Sequence, residues 1–434
     1  MQVIPYFENV GLSRPTEIQE AYFEQKSPYT ILLANTGSGK TLAYLIKLLQ
    51  ILDQEKTPEQ VLVLCPTREL AQQVAKVITA LRTGRKTVLC YGGHSSKNEA
   101  DQLSQHPQIV VATPGRILDH FQRGTEGLKA FTHLIVDEYD KTLEMGFLKE
   151  IQEIHSFAGP LASVQLISAT KIDALPAFIN SFQFETLDFL DEEKPDITFY
   201  SVEAVGHDKL FALVSHLSTI QKAGPTLIFC THREAADRIS QHLKEYGKSN
   251  VLFHGGMDQA ERERALVKFK NGSENLLVCT DLAARGLDIP DIDAVFHYQF
   301  PHTLQDFTHR NGRTARMQKD GKVFLIHSAE EPLPEYTQKL KITSLKAPEI
   351  IGNFKDTGWM TLYLTVGRKD KIRKMDIAGF FLKEMGCSSE EIGIIDVLDA
   401  YSYMAIQEKK YRKIKESLHK KKIKKVSVRI SVCR

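Results

Sequence analysis

The chain has 434 residues, enough for two or three cores of ordinary size, and its 42% hydrophobic and 25% charged residues lie in the globular range. No apolar run approaches the length of a bilayer span, and MQVIPYFENV at the start lacks the basic and apolar segments of a secretory signal, so neither a membrane-spanning nor an exported protein is expected. Net charge is only +2, but residues 408–434 are dominated by lysine and arginine and point to a polyanionic partner, while six cysteines without a CxxC pair read as reduced core residues and make zinc or disulfides unexpected.

From residue 29 to 184, apolar runs at 31–34, 61–65, 88–91, 109–112, 134–137 and 164–168 alternate with amphipathic helical segments, the pattern of a parallel sheet flanked by helices. The first run leads into Ala34-Asn-Thr-Gly-Ser-Gly-Lys-Thr41 and then a helical pattern. Gly37 and Gly39 let backbone N–H groups face phosphate oxygens, Lys40 adds a positive charge, and Thr41 offers a hydroxyl to a magnesium ion. A Gly-Ser turn without ligand is the plainer alternative, since Ala34 replaces the first glycine of the general pattern. Asp137-Glu-Tyr-Asp140 closes the run 134–137, where open α/β sheets bind ligands. Asp137 is expected to hold magnesium through its water shell, and Glu138 to orient and deprotonate the attacking water.

Residues 188–201, acidic and interrupted by proline, read as an inter-domain linker, after which the rhythm restarts at 226–230, 250–253, 276–279, 294–297 and 323–327. This second domain closes with His309-Arg-Asn-Gly-Arg-Thr-Ala-Arg316. Its guanidinium groups suit charge developing on a γ-phosphate, and domain closure would bring Arg313 and Arg316 to the nucleotide. A solvated basic turn or an RNA-phosphate contact is the competing reading. Residues 331–357 hold Pro332, Pro334 and Pro348 and read as a second linker with a short helix. Beyond it, 362–366, 375–385, 392–397, 401–406, 409–418 and 426–430 read as strand, helix, strand, strand, helix and strand.

In this order, residues 1–330 resemble the core of the DEAD-box RNA helicases. The resemblance rests on Pro15 to Gln19, Ala34 to Thr41, Pro66 to Ala71, Gly92-Gly93, Thr113 to Arg116, Asp137 to Asp140, Ser168 to Thr170, Leu227 to Cys230, Thr280-Asp281 with Ala284 to Asp288, and His309 to Arg316. It implies that Thr16 and Gln19 read adenine, that Thr36, Gly37, Ser38, Gly39, Lys40 and Thr41 hold the phosphates, and that Gly286 and Asp288 reach the nucleotide, Asp288 at the ribose. It also implies that Pro66, Thr67, Arg68, Gly93, Thr113, Gly115, Arg116, Thr280, Asp281 and Arg285 grip the sugar-phosphate backbone of RNA. Ser168 and Thr170 would link Asp140 to the closed state, in a family that opens short duplexes locally. Tyr139 replaces the family's alanine and is expected to turn away from the nucleotide. The adenine-stacking aromatic of the family would lie upstream of Met1, which leaves Tyr6 or Phe7 to take its place.

Residues 359–434 resemble the RRM-like RNA-binding domain of DbpA- and DeaD-type bacterial helicases. There Tyr363, Tyr401 and Tyr403 would form a base-stacking platform, and Arg368 and Lys369 would hold phosphates. Tyrosines on a half-exposed sheet are the plainer reading. Ala400 stands where relatives often carry arginine, so no particular RNA hairpin transfers. The expected fold is thus α/β: two tandem RecA-like parallel-sheet domains (1–190 and 203–330), a linker (331–357) and a small α+β RRM-like domain (358–434). The expected activity is a cytoplasmic, monomeric, RNA-stimulated ATPase using ATP and Mg2+ to remodel structured RNA, with ribosomal RNA and pre-ribosomal particles of the large subunit as partners. An ATP-dependent RNA clamp with little turnover and a DNA helicase are the alternatives.

Overall fold

The computed structural model describes residues 4–35, 37–54, 60–93, 95–128, 131–171, 175–176, 178–180, 182–190, 197–204, 206, 208–219, 224–281, 289, 292–314, 321–346, 348–418 and 421–433. The chain divides near residue 194 into two compact units.

The first unit holds β1 (Tyr29–Ala34), β2 (Val61–Leu64), β3 (Thr87–Cys90), β4 (Ile109–Ala112), β5 (His133–Val136), β6 (Ser163–Ser168) and β7 (Glu185–Phe189). They form one sheet in the order β3-β4-β2-β5-β6-β1-β7, and every pairing is parallel. β2, β4 and β5, with the sequences VLVL, IVVA and HLIV, are buried along their whole length because helices cover both faces of the sheet. Parallel strands all end on one edge, so the loops after β1, β2, β3, β4, β5 and β6 gather there, where the crossover order leaves a crevice. These loops carry the motif residues.

The second unit repeats the design with β8 (Ile197–Glu203), β9 (Thr226–Phe229), β10 (Val251–Phe253), β11 (Leu276–Cys279), β12 (Ala294–His297), β13 (Gly321–His327) and β14 (Ile342–Lys346), in the order β10-β11-β9-β12-β13-β8-β14. Both expected linkers therefore contain strands. β7 ends and β8 begins inside 188–201, while β14 lies inside 331–357 and pairs in parallel with β8. The short helix expected in that second segment is the 3-10 turn Glu335–Thr337.

The second unit also carries a small antiparallel sheet of β15 (Trp359–Leu364), β16 (Ile392–Val397), β17 (Ser402–Gln407) and β20 (Ile430–Val432), ordered β16-β17-β15-β20. Its last strand starts at Ile430, where the expected strand over 426–430 ends, because β18 (Lys421–Ile423) and β19 (Val426–Val428) pair as a separate ribbon. The helix expected over 375–385 runs as Lys374–Gly379 and continues as a π-helical turn, Phe380–Glu384.

This sheet does not hang on a flexible tether. Asn271 Nδ2 donates to Thr361 Oγ1 at 2.9 Å, Ser273 Oγ lies 2.6 Å from the same hydroxyl, and Tyr401 donates to Glu263 at 2.9 Å. Val267, Tyr403 and Cys433 share a buried apolar cluster against which Tyr363 and Tyr401 pack. The chain leading to it is held as well: Gly352 N donates to Ser218 Oγ, Thr357 Oγ1 donates to the Ser273 carbonyl, and the Lys248 ammonium lies over the Phe354 ring. All six cysteines are buried, none in a disulfide, and among the described residues no helix is long and apolar enough to cross a membrane.

Candidate active site

In the first unit, β1 runs out into the glycine loop and the helix Lys40–Gln54. Gly37 and Gly39 have φ of 88° and 90°, a conformation that glycine alone adopts without strain. A Cβ on Gly39 would lie 2.6 Å from Gln19 Nε2, so the position needs glycine twice over. The Lys40 ammonium folds back onto the Ala34 and Asn35 carbonyls, and Ser38 Oγ is buried without a partner among the described residues. A loop of this shape, with a buried hydroxyl, fits a phosphate chain. Thr36 lies outside the described residues.

Gln19 is buried, with its Oε1 accepting from Thr16 N and its Nε2 donating to the Gly39 carbonyl at 3.3 Å. Its amide thus joins the start of its own helix to the phosphate loop. Phe7 does not fill the adenine-stacking role, for it is buried in the first core and packs edge-on against Phe23. Tyr6 donates to Asp53.

At the end of β5, Asp137 is buried and accepts from the Tyr44 hydroxyl at 2.8 Å and from Glu138 N at 2.9 Å. Burial pushes its carboxyl above the ordinary value, and Tyr44 and Lys40 offset this only in part. A divalent cation would relieve that cost, and Thr41 lies in the first turn of the helix that also carries Tyr44, the partner of Asp137. Glu138 sits at φ 47°, ψ 53°, a left-handed conformation unusual for a side chain of its size. Asp140 Oδ2 accepts from Thr170 Oγ1 at 2.8 Å, and Ser168 Oγ donates to the Thr170 carbonyl, which brings the three expected coupling residues together. Tyr139 is 1% exposed and belongs to the buried core cluster that includes Ile31, Val136 and Ile151.

Beside this crevice the Arg68 guanidinium lies over Gly92 and Gly93, where an added Cβ would come within 3.1 and 2.7 Å of it. Thr67 and Pro66 are buried, and Thr67 Oγ1 caps the helix Arg68–Ala80 by accepting from Leu70 N. Their place is in the fold beneath Arg68. Thr113 precedes the helix Pro114–Gln122, on which Gly115 is exposed and Arg116 partly so.

In the second unit Thr280 is buried and Asp281 follows β11. Both Asp281 oxygens are taken by Arg310, at 2.6 and 3.0 Å, and Arg310 also donates to the Gln299 carbonyl and stacks over Phe229. Asp281 is thus the counter-ion of a fully buried arginine, which corrects its assignment to the RNA backbone: a carboxylate repels phosphate and this one is already bonded. Asn311 accepts from His297, whose ring burial drives down to about 3 and keeps neutral. Arg313 is buried. Arg285, Gly286, Asp288 and Arg316 lie outside the described residues.

On the small sheet, Tyr363 and Tyr403 are paired across β15 and β17, and Tyr363, Tyr401 and Tyr403 have ring centroids 5.5–5.7 Å apart. The expected cluster exists, but the helix Gln259–Lys270 covers it and Tyr403 is 3% exposed. In this arrangement the tyrosines bind protein where base stacking was expected. Arg368 and Lys369 are exposed on a loop pinned to the turn after β16 by their own backbone N–H groups, which donate to the Leu398 and Asp399 carbonyls.

Residues 16–176 match the DEAD/DEAH box helicase family, 208–318 the helicase conserved C-terminal domain, and 361–432 the DbpA RNA-binding domain. The ATP-dependent RNA helicase DbpA of Escherichia coli is 34% identical over 411 residues, covering 92% of this chain and 89% of the relative. This chain belongs to the DEAD-box ATP-dependent RNA helicases of the DbpA type. DbpA of Bacillus subtilis is similar at 31% identity, over 93% and 91% of the two chains. Among solved structures, Mss116 bound to single-stranded RNA and AMP-PNP aligns with a TM-score of 0.70 at 25% identity, over 80% of this chain and 77% of that one. S. cerevisiae Dbp5 bound to RNA and ADP BeF3 aligns at 0.69 and 24% identity, over 79% and 92%, and shows the same fold.

This DEAD-box helicase is accordingly an RNA-stimulated ATPase with two RecA-like domains and a third, RNA-binding domain. Sequence reasoning missed Tyr44, Arg310 as an internal counter-ion, and the contacts of Glu263, Asn271 and Thr361. Tyr44 lies 93 positions from Asp137, and no spacing rule connects them.

Proposed function

We propose that this helicase remodels structured ribosomal RNA during assembly of the large ribosomal subunit, using ATP and Mg2+. In this reading Lys40 and the glycine loop hold the phosphates, Thr41 and Asp137 hold the metal, and Glu138 positions the attacking water. Arg68, Gly93, Thr113 and Arg116 contact the RNA backbone. Closure of the two RecA-like domains delivers Arg313 and Arg316 to the γ-phosphate. The metal supplies charge compensation to the transferred phosphoryl group when bound.

The observation that carries the RNA preference is the docked third domain, which exposes Arg368 and Lys369 on a pinned loop while its tyrosine face is held by the helix Gln259–Lys270. An RNA element gripped by that loop is therefore held at a set place on the second RecA-like domain. The burial of Tyr139 in the core speaks against one of the two grounds for a clamp without turnover, the other being the family's adenine-stacking aromatic, whose place Phe7 does not take. Phosphate release should be measured against large-subunit rRNA, small-subunit rRNA and poly(U). Half-stimulation by the large-subunit transcript at about one tenth the concentration of the others supports the proposal, and equal stimulation by all three sinks the ribosomal assignment.

A further inference from the structure

Glu99 lies on the helix Ser96–Leu103, is 2% exposed, and belongs to none of the motifs. Its Oε1 accepts from Tyr91 N at 3.0 Å, and its Oε2 accepts from Arg116 Nε at 2.6 Å and lies 2.8 Å from His120 Nε2. Thr125 Oγ1 in turn lies 3.0 Å from His120 Nδ1, which sets the ring. Burial alone would raise the Glu99 carboxyl, but the bonds from His120, Arg116 and Tyr91 outweigh it and hold the group below the ordinary carboxylate value.

Cys90, Glu99 and His120 also bring their ligand atoms within 4.8 Å of one another. A cation does not suit that cluster. The Glu99 carboxylate is already shared with an arginine, and burial raises the Cys90 thiol so that it stays protonated.

We infer that Glu99 is a positioning residue that yokes the Gly92-Gly93 loop to Arg116 and so sets the RNA grip of the first RecA-like domain. Tyr91 N adjoins Gly92, the two glycines form the floor on which the Arg68 guanidinium lies, and the Tyr91 hydroxyl accepts from Gln72 on the helix that carries Arg68. One buried carboxylate therefore fixes the spacing of two guanidinium groups, Arg68 and Arg116. Spacing matters because successive phosphates of a single strand sit at set intervals, and an arginine held by its Nε edge keeps its planar fork in one orientation. The inference rests on the proposed contact of Arg116 with the RNA backbone.

The test measures affinity for a labelled U20 RNA in the presence of ADP-beryllium fluoride across a salt series, using the full chain, Glu99→Gln, Glu99→Asp, Arg116→Ala and the Glu99→Gln/Arg116→Ala double variant. Glu99→Gln should weaken RNA binding about tenfold and lower the salt slope by about 0.7, the loss of one phosphate contact on a single strand. Its RNA-independent ATPase and its KM for ATP should stay within about twofold of the parent. The double variant should bind no more weakly than Arg116→Ala, since Glu99 acts through that arginine. Glu99→Asp keeps the buried charge but withdraws it by one methylene, and should weaken binding about threefold even if the glutamine variant folds poorly. Parental RNA affinity in Glu99→Asp and Glu99→Gln, with Arg116→Ala impaired, overturns the yoke alone. Parental affinity in Arg116→Ala overturns the RNA contact and the yoke with it.

Discussion

Tyr139 directly follows Asp137 and Glu138, the two carboxylates proposed for the reaction, yet it is 1% exposed and belongs to the core. Residues whose types suit phosphate or metal could be picked out one by one, because a glycine loop and an acidic turn call for particular residue types at particular spacings. Their supports were not legible, since Tyr44 and Glu99 act through partners brought close only by folding. The Tyr139 hydroxyl is buried with no hydrogen-bond partner among the described residues, a state that costs stability. Tyr139→Phe should therefore raise stability by about 1 kcal/mol, a shift of roughly 2–4 °C in Tm, with RNA-stimulated ATPase unchanged. A lower Tm in scanning calorimetry would show that the hydroxyl is satisfied.

Periodicity located the strands buried on both faces, such as β2 and β4, and those edge strands whose runs are apolar, β3 and β10. Those it missed lie at or next to sheet edges: β7 and β14 have no fully buried residue, and β8 begins after an acidic stretch that looks like solvated linker. Apolar periodicity reports burial, so an element that buries little leaves a faint trace. The glycine loop is the opposite case, where backbone shape is written directly in the residue types. Gly39→Ala places a Cβ against Gln19 at φ 90°. This substitution should cost roughly 1–2 kcal/mol in backbone strain and lower ATP affinity at least about tenfold, read by titration with a fluorescent ATP analogue. Parental affinity would mean that the loop opens on binding.

Across the whole molecule, domain count and order could be read from the chain, but the docking of the small sheet could not. Tyr401 and Tyr403 were grouped by the two-residue period of a strand and Tyr363 by the family resemblance, and the three rings do lie together. What covers that face depends on the helix Gln259–Lys270, remote in the chain and polar in sequence. Tyr403→Ala should cost about 3 kcal/mol and separate the melting of the small domain from that of the second RecA-like domain. A single denaturant transition identical to the parent's would show that the contact contributes nothing. The aromatic wall has a practical outcome for engineering. Exchanging residues 358–434 for the same module of another helicase would set a foreign sheet against the native Glu263, Val267 and Asn271. A graft that keeps its mechanical fit must carry the residue 259–273 segment along with it, so the unit of transfer between relatives is larger than the module.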